Sequence, residues 1–262
     1  MYMILKKLLL AIVLFVCIQS IFAQRGFSHE IGVITGPIAY QSDFGERGDF
    51  QNNTSKVGFG IGIVYYMNFD YLATYRYNSL NNYFTDHFKL RGEISWNKTT
   101  LEHYGTWVDP ARTSIDADKL RAHSGEAQNF NLGVQLEYYP ISVKAFSQGV
   151  YSFAPFVSFG TQFVAYSPSA KTSYGDQNIE NADNFYSGWE PGSVSEQNGT
   201  TLSLVGSIGT RYKLGILSDL MIDLRFQSFF SNSTDGLDHQ LPSNKTNDWL
   251  VWLNFGYIYY FD

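Results

Sequence analysis

Along most of this chain apolar residues return at every second position, and they do so for longer than a soluble strand requires. Val57, Phe59, Ile61, Ile63, Tyr65 and Met67 alternate with Gly58, Gly60, Gly62 and Tyr66. Phe130, Leu132, Val134, Leu136 and Tyr138 likewise oppose Asn129, Asn131, Gly133, Gln135 and Glu137. Successive side chains of a strand point to opposite faces, so each segment has one apolar face and one polar or glycine face. Six further segments keep the period. They are centred on Ile31 and Val33 against Glu30 and Gly32, on Leu90 and Ile94 against Lys89, Arg91 and Glu93, and on Val157 and Phe159 against Ser158 and Gly160. The last three set Leu204 and Ile208 against Arg211 and Lys213, Ile222 and Leu224 against Asp223 and Arg225, and Phe255 and Tyr257 against Asn254 and Gly256. A strand that crosses a bilayer needs about 9–11 residues, against roughly 5–6 for an ordinary soluble strand. A soluble sandwich also alternates, but Lys, Arg, Glu and Gly on the second face suit a packed polar lumen and not a sandwich core. Aromatics at segment ends (Tyr65-Tyr66, Tyr138-Tyr139, Tyr257 to Phe261) suit an interfacial girdle. The expected fold is all-β, an eight-stranded antiparallel transmembrane β-barrel with long extracellular loops.

Composition agrees. Charged residues make up only 16% and aromatics 17% of the chain, yet mean hydropathy is -0.17, too low for a bundle of membrane helices. A net charge of -6 and a pI near 5.3 exclude a nucleic-acid partner, which needs a basic face.

Lys6 and Lys7 precede an apolar run from Leu8 to Val16, with Ala23 just before Gln24. A positive start, a short apolar stretch and a small final residue describe a cleavable secretory signal. Residues 1–23 are therefore expected to be removed, leaving residues 24–262 as the barrel. The single cysteine, Cys17, falls inside the signal behind the bulky pair Phe15-Val16, where lipid attachment calls for small residues. Without it the mature chain has neither disulfides nor a cysteine metal site, and no cofactor is expected.

The intervals between strands alternate in length. Residues 37–56, 98–127, 167–199 and 231–248 are expected outside the cell, and residues 140–149 and 214–219 are expected as short periplasmic turns. Residues 68–86 form an unusually long periplasmic connection. An even strand number leaves both termini periplasmic. The last strand carries a targeting pattern for the barrel-insertion machinery. In it Asn254 is followed by Gly256 and then by Tyr259 and Phe261 two residues apart, so glycine spares the lumen while the aromatics meet lipid or an insertase edge.

Glu30-Ile31-Gly32 with Tyr40 and Asp43, the strand Gly58-Phe59-Gly60-Ile61-Gly62, and Phe153-Ala154-Pro155-Phe156-Val157 followed by Gly160 give the chain a family likeness. So do the stretch from Gly206 to Leu214 and the turn Gly236-Leu237-Asp238. In these motifs the chain resembles the small outer-membrane barrels of Bacteroidota, the family that includes the type IX secretion component PorG. The resemblance implies an accessory or structural subunit of an envelope machine, in secretion or outer-membrane protein assembly.

An eight-stranded barrel is only wide enough for its own side chains. Glu30, Lys89, Arg91, Glu93, Glu137, Arg211, Lys213, Asp223 and Arg225 all fall on the inward face, where buried charges must pair. The expected result is a closed lumen, with a small-solute pore as the alternative. A lipid-modifying enzyme is a second alternative, but it needs a serine, a base and an orienting group in one place. His123-Ser124 point to opposite faces of a strand, and Ser233, Asp235, Asp238 and His239 are otherwise four loop residues. Asp116, Asp118 and Glu126 lack a complete Ca²⁺ loop motif. A barrel that neither conducts nor catalyses acts through contacts, with outer-membrane lipid and with the proteins of an envelope complex. Exposed aromatics suit that work, and the candidates are Tyr75 and Tyr77 at one end and Phe185, Tyr186 and Trp189 at the other.

Overall fold

The alternating segments become strands of 12 to 17 residues, long enough to cross a bilayer with a tilt. The computed structural model describes residues 28–45, 55–69, 80–239, 241 and 246–261; the expected signal at residues 1–23 lies outside them. In chain order the strands are β1 (Ser28–Gln41), β2 (Val57–Asn68), β3 (Phe88–Glu102), β4 (His123–Tyr138), β5 (Phe153–Tyr166), β6 (Ser169–Thr172), β7 (Gly199–Gly215), β8 (Ser218–Phe229) and β9 (Trp249–Phe261). Three short α-helices bounded within the described residues lie between them: α1 (Leu80–His87), α2 (Ile115–Ala122) and α3 (Val143–Ser147).

Every strand except β6 has two antiparallel neighbours. The ring runs β1, β2, β3, β4, β5, β7, β8, β9 and back to β1, an eight-stranded closed barrel. The β1–β9 seam runs from His29 opposite Phe261 to Gln41 opposite Trp249. Along the seam Gly36 passes so close to β9 that a Cβ would stand 1.9 Å from the Leu253 carbonyl oxygen, so no side chain fits there. The neighbouring Pro37 faces outward with its missing N–H at the one place where the β1–β9 pairing skips.

Register turns the alternation into two surfaces. Val33, Ile63, Ile94, Leu132 and Phe163 stand side by side across five strands, each about half exposed. Such a continuous apolar belt on the outside of a closed barrel is stable only against lipid. No helix among the described residues is long and apolar enough to cross a membrane. The strands do the crossing, and the chain is a transmembrane β-barrel.

Strand ends depart from expectation in three places. β1 continues past Pro37 to Gln41, because Ile38 and Tyr40 are buried in the lumen. β3 and β4 reach beyond the belt to Glu102 and His123, and β6 adds to the β4 extension, so much of the 98–127 interval is sheet. The polar outward residues there hid this, since Lys98, Thr100, Ser124 and Glu126 leave no apolar outer face. At the other end β7 and β8 leave only Ile216 and Leu217 between them, so Asp219, expected in the turn, is fully buried inside the barrel.

β9 holds both neighbours at its end, with His29 to Val33 on one side and Ser218 to Leu220 on the other. Removing residues 257–262 leaves both edges unpaired in lipid. The truncated protein is expected to be absent from the outer membrane as a heat-modifiable folded species. Its presence there at normal level would contradict the closing role of this segment.

Candidate functional site

Inside the barrel the inward positions of β1, β3, β4, β7 and β8 converge on one charged layer. Lys89 Nζ donates to Glu30 Oε1 at 2.6 Å, and Arg211 pairs with the second oxygen of Glu30. Arg91 reaches Glu93 at 2.8 Å, Asp223 at 3.1 Å and Glu137 at 3.3 Å. Arg225 grips Glu93 through two nitrogens, a bidentate fork. Lys213 pairs with Asp219 at 3.2 Å, and Arg211 stands 3.7 Å from both Asp219 and Glu137. Every one of the nine expected lumen residues is therefore in the network. The tenth, Asp219, equalises the charges: Lys89, Arg91, Arg211, Lys213 and Arg225 against Glu30, Glu93, Glu137, Asp219 and Asp223.

Neutral groups join the network. Asn68 donates to Glu30, Asn254 to Asp223, and the Tyr139 hydroxyl to Glu137 at 2.6 Å. Asn254 thus has a place in the lumen, beside its expected part in the targeting pattern. The Arg211 guanidinium lies 4.1 Å from the Tyr66 ring, and Arg225 lies 5.0 Å from Trp252. The alternation sets Tyr66 on this face beside Gly60; sequence reasoning missed Trp252, and a Cβ at Gly60 would stand 2.5 Å from its ring.

Above the charged layer, at the end with the long connections, four loops meet. Asp235 accepts from the backbone N–H of Asp43 and from that of Leu237, each at 2.9 Å. Tyr40, Thr234 and Asp248 form a buried hydroxyl–carboxylate chain, and Lys56 donates to the Phe44 carbonyl. Residues 193–195 add an edge to this turn: Val194 bridges Leu237, Ser195 N–H donates to Gly236, and Asp238 N–H donates to Ser193. Burial, and then the nearby Asp43 carboxylate, push the Asp235 carboxyl up to about 7.

Beside it lies a histidine pair. Gly45 N–H donates to His103 Nδ1 at 3.0 Å, so the His103 proton sits on Nε2, which donates to His123 Nδ1 at 3.0 Å. Burial holds His103 well below the usual imidazole range, helped by His123, Lys56 and His239. Phe44 packs on both rings, and Trp189 stacks on His239 with an interplanar angle of 12°.

The expected contact aromatics divide accordingly. Phe185 is buried and turned inward against His123, and Trp189 is held among the three histidines. This corrects the expectation that they stand exposed: filling the mouth removes more of their apolar surface from water than an outward position would. Tyr186 is half-buried, and Tyr75 and Tyr77 lie outside the described residues. His239 Nδ1 accepts from Leu241 N–H at 3.2 Å. Among the described residues no group of three or more His, Asp or Glu is arranged to hold a metal ion.

No protein-family model matches the chain, and no curated protein matches it. Solved structures with a similar course include the Neisserial surface protein A, at 12% identity over 89% of this chain and 97% of that one, with a TM-score of 0.44. A major outer membrane protein from Thermus thermophilus gives 15% identity over 89% and 99%, with a TM-score of 0.46. Ail, the attachment invasion locus protein of Yersinia pestis, solved with the heparin analogue sucrose octasulfate, gives 11% over 90% and 99%, with a TM-score of 0.42.

Two outcomes are expected from this geometry. Removing one member of a buried ion pair typically costs about 3–5 kcal/mol, so Arg211→Ala is expected to lower the melting temperature of the purified barrel clearly. An unchanged value would mean that Glu30 and Asp219 are not held by this guanidinium. The second concerns pH. A raised carboxyl favours the closed cap at low pH and loses that contribution as pH rises through about 7, whereas a depressed imidazole favours it above the ordinary value and loses it as pH falls below about 6.5. The two oppose each other between about pH 4 and 6.5. Asp235→Asn leaves the histidine contribution alone, so limited proteolysis of the loops is expected to increase more steeply on acidification than in the unmutated protein. Equal acid sensitivity would remove Asp235 from the balance.

Proposed function

We propose that this chain is a non-conducting, non-enzymatic barrel of a bacterial outer membrane that works through contacts at its two ends. In this reading it is an accessory subunit of a Bacteroidota envelope machine, in type IX secretion or outer-membrane protein assembly. The observation that carries it is the filled lumen. Ten charged side chains cross-link the wall, and a cap of four loops covers one mouth. A solute path would have to displace both layers. The family resemblance of the Glu30-Ile31-Gly32 and Gly206 to Leu214 motifs supports the choice of machine.

Orientation follows from the connections. The end with the cap faces outside and the end with α1, α3 and the β7–β8 turn faces the periplasm, where β1 begins and β9 ends. That periplasmic rim exposes Tyr83, Phe84, Val150, Tyr151, Leu214 and Ile216. Here the contacts with lipid headgroups and machine subunits are made, together with Tyr75 and Tyr77 on the same connection as α1.

The test has two arms. Planar-bilayer recording of the purified protein is expected to give no steady single-channel conductance, and a large ohmic conductance would replace this reading by that of a small-solute pore. Mild-detergent purification from the native envelope is expected to bring down defined envelope proteins, and to lose them in a Tyr75→Ser, Tyr77→Ser variant that remains heat-modifiable. Full retention of every partner in that variant would remove this rim as the docking surface.

A further inference from the structure

The cap carries a cavity that neither the lumen network nor the periplasmic rim uses. It measures about 630 Å³, a size ordinary for a small-ligand site, and lies between the 190–197 segment and the 233–238 turn. Its walls are fixed in advance. Pro191 and Gly192, the latter with φ of 88°, form a tight turn closed by Ser193 N–H on the Glu190 carbonyl. The segment is then tied to the 233–238 turn by the Val194–Leu237 bridge and by the Ser195 and Asp238 backbone bonds.

The lining decides the ligand. Tyr166 supplies one aromatic face, resting against Gly199. Ser193, Gln197 and Asn198 supply hydroxyl and amide groups, and Glu190 and Asp238 supply carboxylates. Among the described residues no Lys or Arg lines the cavity, so an anionic ligand would meet two like charges there. An acyl chain would find too little apolar wall. Carboxylates and amides that accept and donate in pairs, beside a ring face, match a neutral polyhydroxylated ligand with polar edges and C–H faces. A second cavity of about 530 Å³ shares the 190–197 segment and adds Tyr186 and Trp189, so an extended chain has two adjoining seats.

We infer that the 190–197 segment and the 233–238 turn form a binding site for neutral oligosaccharide at the capped end of the barrel. The site goes beyond the accessory role and stands or falls separately from it.

The test uses the full barrel in a detergent without a sugar headgroup, with heat-modifiability as the folding control. Short dextran and mannan oligosaccharides are the neutral probes, heparin fragments the anionic probe and an oligolysine peptide the cationic one. Saturable binding of a neutral probe is expected, weakened at least about tenfold by Tyr166→Ala and by the exposed, fold-neutral Glu190→Gln, which is the scale of one lost polar or stacking contact. Binding of heparin or oligolysine in preference to the neutral probes would overturn the assignment. So would the absence of any neutral binding, or binding that is indifferent to Glu190→Gln.

Discussion

Lipid offers no hydrogen bonds, so a strand that enters a bilayer must have both edges paired by other strands. Everything else in this molecule depends on meeting that demand at the β1–β9 seam, which joins the first described strand to the last. The other seven pairings in the ring join strands that follow one another or nearly so. The seam alone brings together the two ends of the barrel chain, and close backbone approach and a lapse in pairing meet there. Gly36 lets the backbones approach, Pro37 sits where pairing lapses, and aromatic side chains of β9 face the belt on the outside.

Closing the ring at eight strands fixes the interior. The lumen is then too narrow to hold bulk water around charges, and each charged inward residue has to find its counter-charge within the wall. The network meets this by sharing. Glu30 serves Lys89 and Arg211, Glu93 serves Arg91 and Arg225, and Glu137 joins the two groups through Arg91 and Arg211. A shared carboxylate cannot be withdrawn from one partner without disturbing another, so the interior behaves as one cross-linked layer. Such a layer ties the strands of the wall together and fills the lumen between them.

The long connections answer a different problem. Above the belt their backbone is free to meet water, yet residues 42–45, 103, 185–195 and 231–239 fold inward over the mouth. Two apolar plugs draw them there: Leu237, and Phe44 with Trp189. Burying these rings carries the polar groups Asp43, Asp235, His103 and His123 in with them, and their hydrogen bonds define the cap. The titrations of Asp235 and His103 have opposite signs, so their contributions to the stability of the cap oppose each other over the mildly acidic range.

How much of this was legible in the sequence follows from the range of the forces. Alternation is local, because the pleat alone sends Arg91 inward and Leu90 outward. It therefore named the eight strands, the lipid face and nine of the ten charges of the lumen. The tenth, Asp219, was lost to a turn because the end of a strand depends on pairing across the hairpin, which composition does not encode. The same is true of the extensions of β3 and β4, whose outward residues are polar and which are strands only because they pair with each other and with β6. The cap lay further from reach. Asp43 and Asp235 are 192 positions apart in the chain, and His103 meets His123 only once β3 and β4 are in register. A periodicity cannot show which loop residues will share a cavity, since that is set by ring closure, which brings separate hairpins to one rim. The sequence by itself determined a membrane-crossing barrel with a charged interior. Tertiary structure decided which charges pair, and that the loops fold over the mouth instead of standing free, because both depend on distances that exist only after the last strand has met the first.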